Sequence, residues 1–204
     1  MAISRRTMAV SALIASVWGG GERFAEAQNQ RLPMRVVVYD YTDAEPAILQ
    51  PAQRAVTQIF GEIDVDVTWL DVAQFTREMP TDPLERRVFV ATVIQVSVIP
   101  PSMHKVLGRK DTVVGGAGLN TRRIWISFSR VQETARRARA DASDVLGYVI
   151  AHEIAHVLMP DGSHAPSGVM QQSVDQEVIA HNRLSFGSDE AQLIRAALAR
   201  DPSR

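Results

Sequence analysis

Five residues, His152-Glu153-Ile154-Ala155-His156, constrain this chain more than any other stretch. They match H-E-x-x-H and lie in an apolar, proline-free run, residues 145–158, whose composition suits a buried helix. At 3.6 residues per turn, positions four apart stack on one face, so the two imidazoles stand side by side. Glu153 is one residue along, able to reach a water beside a cation without ligating the cation itself. Two neutral imidazoles and one further donor suit tetrahedral Zn²⁺ with a fourth position open to water. A cation so held acidifies that water, and a neighbouring carboxylate can take its proton. The plain alternative is a pair of helix-face histidines satisfied by hydrogen bonds. The residues that follow favour the metal.

A third donor has to come from beyond the helix. Pro160-Asp161-Gly162 ends it, because proline cannot continue a helix and glycine tolerates positive φ. The chain then turns back, and the next candidate ligand is His164. A second tight turn, Pro166-Ser167-Gly168, leads to Met170. Two rivals for the third position stay open: Glu177, some twenty residues after His156, and His181.

The run HEIAHVLMPDGSHAPSGVM resembles the zincin metallopeptidases of metzincin type, which carry H-E-x-x-H-x-x-G-x-x-H and a methionine-bearing turn beneath the metal. It is also similar to a group of uncharacterised secreted bacterial zincin-like proteins with a H-S-P-S-G-I-M-like segment. The resemblance implies that His152, His156 and His164 are the zinc ligands, Glu153 the general base and Met170 the turn methionine. It covers residues 145–170 and departs from the pattern in three places. Met159 stands where the family has glycine, and Gly162 where it has the third histidine, so His164 comes two residues late. No tyrosine follows Met170. The resemblance further implies a peptide or protein substrate that pairs with the strand bordering the cleft. Two other readings remain: a catalytically silent zinc-binding or interaction module, and a zinc amidase acting on cell-wall amides.

Residues 1–27 read as a cleaved signal peptide: Arg5 and Arg6, a short apolar run over 8–18, then Ala25-Glu26-Ala27 as a cleavage site. Ser4-Arg5-Arg6 leaves both Sec and twin-arginine export open. The apolar run is too short to span a bilayer, so export to a secreted or periplasmic location is expected, without stable membrane insertion. Cleavage removes three arginines and two glutamates and leaves 28–204 with a formal charge of −2. So balanced a charge gives no argument for nucleic acid or an anionic membrane surface. The chain has no cysteine, which excludes disulfides, thiolate ligands and a cysteine nucleophile. Nothing in the sequence bears on oligomeric state.

The remainder predicts one α+β domain over 28–204, a zincin-like fold with a mixed twisted sheet, an active-site helix and C-terminal helices. Residues 34–41 read as a first strand, 47–63 as an amphipathic helix and 65–70 as a second strand, an order that implies a parallel pair. Residues 71–85 read as a surface connection and 87–99 as a long third strand. Residues 102–114 read as loop, with His104 exposed in it. Gly115-Gly116-Ala117-Gly118 suits close backbone approach at an edge strand or substrate rim. Either 115–119 or the fourth strand, 123–128, is the sheet edge. The arginines in 131–140 mark a solvated helix face, and Asp141 or Ser143 is expected to cap the active-site helix. Helices over 174–184 and from a Ser188 cap to about 200 close the chain.

Overall fold

The structure, a computed structural model, describes residues 31–42, 44, 46–106, 113–118, 121–159, 164–172 and 184–200. The signal peptide, Glu177, His181 and the helix expected over 174–184 fall outside the described residues.

The elements run β1 (Leu32–Asp40), α1 (Pro46–Gly61), β2 (Val65–Leu70), α2 (Val72–Glu78), α3 (Pro83–Thr92), β3 (Val93–Ile99), α4 (Pro101–Val106), β4 (Gly115–Ala117), β5 (Arg123–Ser127), α5 (Phe128–Ala138), α6 (Ala142–Leu158) and α7 (Ser188–Ala199). The sheet order is β2-β1-β3-β5-β4. β1 pairs in parallel with β2 and β3, and β3 with β5, while β4 runs antiparallel to β5. The expected mixed sheet is present, and the question of the edge is answered: β4 is terminal and β5 interior.

Neighbouring residues of a strand point to opposite faces, so Val36 and Val37, both fully buried, look into two different cores. Val36 joins the larger core, where Phe60 of α1, Leu146 and Ile150 of α6, Val131 of α5 and Ile194 of α7 pack together with Met170. Val37 joins a smaller one with Leu70, Phe75 and Val93. Helix α6 is apolar on nearly every side because it runs through the larger core. Its buried residues extend from Val145 to Leu158, and burying each large side chain there contributes about 1.5–3 kcal/mol.

Over the smaller core the structure corrects the sequence reading. Residues 87–92 belong to helix α3, and the third strand begins only at Val93. The cause is local: Pro83 sits in the first turn, and Asp82 Oδ1 accepts from the backbone N–H of Leu84 and Glu85, each at 2.9 Å. That cap starts a helix which the β-branched residues after it do not stop. The supposed connection over 71–85 also contains a helix. Gln74 N donates to Asp71 Oδ1 at 2.6 Å and Asp71 N to Gln74 Oε1 at 3.1 Å, a reciprocal capping box. The supposed loop after Pro101 opens as α4, and His104 is not exposed: it is buried, edge-on to the Trp125 ring.

Two caps differ as well. Asp141 occupies the N-cap of α6, yet neither it nor Ser143 caps the helix through a side-chain hydrogen bond. Helix α7 is capped from Gly187, whose N–H donates to Glu190 Oε2 at 2.7 Å, and Ser188 is its first residue. Among the described residues no helix is long and apolar enough to cross a membrane.

Candidate metal centre

The last two turns of α6 bring His152 and His156 to one face, with ring centroids 4.6 Å apart. Their Nε2 atoms are 3.0 Å apart. Two Zn–N bonds of about 2.0–2.1 Å at a tetrahedral angle set the nitrogens about 3.3–3.4 Å apart, so the pair is spaced close to that of a shared ion. His164 arrives from beyond the helix. Its ring stacks on that of His152 at 5.3 Å and meets His156 edge-on at 5.0 Å. One ring nitrogen from each of the three lies within 4.8 Å of the others, a group that can hold a metal ion. Three neutral imidazoles fit Zn²⁺ and leave the fourth tetrahedral position open. The rivals Glu177 and His181 lie outside the described residues.

The surroundings of His152 and His156 favour the neutral imidazole. Burial lowers the proton affinity of His156, to a pKa of about 4, and the facing rings of His152 and His164 add to the effect. Burial and His164 also lower His152, against an opposing hydrogen bond. In that bond His152 Nδ1 donates to the Val169 carbonyl at 2.8 Å. A proton fixed on Nδ1 leaves the Nε2 lone pair free for an ion and sets the ring plane.

Val169 belongs to the turn that ends at Met170. Ala165 N donates to the Met170 carbonyl at 2.8 Å, and Gln171 N to the Gly168 carbonyl at 3.2 Å. Gly168 adopts φ +81°, and a Cβ there would lie 2.6 Å from the Ser185 carbonyl oxygen. Both the dihedral and the contact demand glycine. Pro166 and Ser167 of the turn are exposed, while Val169 and Met170 are fully buried in the larger core and anchor its end.

Glu153 sits on the adjacent face of α6, 8 % exposed. Burial pushes its carboxyl up to about 7. Strand β4 closes over it: a Cβ on Gly115 would approach Glu153 Oε1 to 2.9 Å and Val149 Cγ1 to 3.0 Å. The glycine run therefore has the role expected of it, close backbone approach at an edge strand, and the group approached is the carboxylate.

Sequence reasoning missed Tyr148. Its hydroxyl donates to the Gln171 carbonyl at 2.8 Å, and its ring lies 5.9 Å from that of His152. Burial raises the phenol to about 12, so it stays a donor. The signal was available: Tyr148 is one helical turn before His152, on the same face. It reaches the turn from the helix before it.

The five-stranded mixed sheet, with α6 packed against its antiparallel edge strand, is an arrangement shared with a solved structure. The chain is similar to a zinc-dependent peptidase from Methanocorpusculum labreanum (strain Z), with a TM-score of 0.53 and 16% identity over 80% of this chain and 99% of that one. It is also similar to archaemetzincin from Methanopyrus kandleri, with a TM-score of 0.47 and 15% identity over 82% of this chain and 96% of that one. No family model and no curated protein matches the sequence. The fold is thus shared where the sequence is not.

Proposed function

We propose that the chain is a secreted zinc-dependent endopeptidase in which His152, His156 and His164 hold the ion and Glu153 is the general base. The observation that carries this reading is the convergence of three imidazole nitrogens within 4.8 Å of one another, with a buried carboxyl one residue from the first. Zinc held there supplies a Lewis acid and acidifies a water molecule. Glu153 takes the proton and returns it to the leaving amine. A carboxyl brought close to neutrality by burial suits both tasks. Val169 fixes the tautomer of His152, and Met170 anchors the turn that presents Val169. Among the described residues no strand pairs with the outer edge of β4, and an extended substrate could add there. Export by residues 1–27 belongs to the proposal and rests on their sequence.

The test is Glu153→Gln. The variant is expected to keep one zinc per chain while cleavage of casein or a peptide library falls about 10²–10⁴-fold, and a chelator is expected to abolish the wild-type activity. Undiminished cleavage by the variant contradicts the role of Glu153. Zinc bound by a wild type that cleaves no peptide replaces the proposal with a zinc-holding interaction module, or with an amidase if muropeptides are cleaved instead.

A further inference from the structure

One cleft leads away from the histidines. It has a volume of about 550 Å³ and joins His156 to Ala117 and Gly118 at the end of β4, to Arg122 and Arg123 at the start of β5, and to Arg87 on α3. Three arginines are among the residues that line it and, among the described residues, no aspartate or glutamate is. Arg122 is engaged with the Thr92 carbonyl at 3.5 Å. Arg87 and Arg123 are exposed, and among the described residues neither takes part in an ion pair. Guanidinium stays charged at every working pH, and on a concave wall it draws carboxylates in.

The strand directions say which part of a peptide would meet these arginines. β4 runs from Gly115, packed on Glu153, to Ala117 and Gly118, which line the cleft. A peptide added antiparallel to β4, the better-bonded arrangement, runs the other way, from the arginines toward Glu153. Its residues before the scissile bond therefore lie in the cleft. We propose that this cleft is a subsite for an acidic side chain on the N-terminal side of the scissile bond, bound by Arg87 and Arg123. The inference rests on the endopeptidase reading and names the substrate class of the same site.

The test uses length-matched peptides carrying Glu, Gln or Lys at each position. They are assayed for cleavage by the zinc-loaded wild type and titrated against zinc-loaded Glu153→Gln protein, which reads binding without turnover. Glu before the cleaved bond is expected to raise kcat/KM about fivefold over Gln, the size of an exposed ion pair. The advantage is expected to shrink in about 0.5 M salt. The double variant Arg87→Glu, Arg123→Glu is expected to favour Lys instead, with its zinc content unchanged as a check on folding. Equal rates for the three peptides overturn the proposal. So does a preference confined to the far side of the bond or to the free C-terminal carboxylate, or one that survives the double reversal. If the wild type cleaves nothing while the Glu153→Gln protein still binds acidic peptides through these arginines, the endopeptidase reading falls and the acidic subsite stands.

Discussion

The two faces of the sheet differ in depth. Against one, α1, α5, α6 and α7 pack into a large core that contains Phe60, Ile150, Ile194 and Met170. Against the other, α2 and α3 cover a small cluster around Val37, Leu70, Phe75 and Val93, and α3 buries no residue at all. Glu153 is buried on the deep face, and His152 and His156 stand half-buried on the same helix, with exposed His164 brought against them. The lesson is physical: a metal centre needs donors held within a fraction of an ångström, and the deep core fixes the helix that carries two of them. The shallow face is secured by caps and short helices, and it contributes exposed charge.

Substitutions can break this contrast or sharpen it. The largest expected effect is Phe60→Ala, which opens a cavity in the deep core and is expected to cost about 3–5 kcal/mol. Phe75→Ala, in a smaller cluster, is expected to fall at the low end of that range, about 3 kcal/mol. Urea unfolding of both variants checks the pair, and equal losses would remove the distinction between the faces. Gly168→Ala comes next. It forces a side chain into φ +81° and against the Ser185 carbonyl. Because Val169 orients His152, zinc affinity is expected to fall about tenfold, read by competition with a chromophoric chelator.

A pH series separates the buried carboxyl from its surroundings. Burial raises Glu153 from 4.5 to about 7, so the fold favours its protonated form. Its contribution is fully present below pH 4.5 and is lost as pH rises toward 7. In chelator-treated protein, Glu153→Gln is therefore expected to gain stability over the wild type as pH rises through that window. The difference in thermal midpoint should reach a few degrees above pH 7 and be smallest near pH 4.5, about the size expected for a buried group in a domain of this length. A difference independent of pH contradicts the burial of this carboxyl.

The smallest effects concern the caps. Asp82→Ala removes two backbone hydrogen bonds on the shallow face and is expected to cost about 1 kcal/mol. Asp141→Ala removes none at the start of α6 and should stay within about 0.5 kcal/mol. Thermal midpoints of the two variants check this ordering.

The sequence was most legible where burial imposed a pattern. α1 and β2 carry apolar positions at helix or strand period, β1 and α6 are near-continuous apolar runs buried on more than one side, and each lies where its pattern puts it. The histidine pair follows from helical spacing alone. The turn expected over 160–162 lies outside the described residues, but the structure brings the ring of His164 against both of the others. On the shallow face the pattern is weak, and local chemistry decided. Asp82 and Pro83 made a helix of 87–92, where β-branched residues suggested strand. The burial of His104 against Trp125 depends on a contact between segments distant in sequence, which no local period encodes.

Anomalous diffraction at the zinc edge, from crystals of the purified protein, addresses the central claim most directly. A single peak is expected at about 2.1 Å from Nε2 of His152, Nε2 of His156 and a ring nitrogen of His164. A peak bound by the first two histidines and Glu177, or no peak among the three rings, would contradict it.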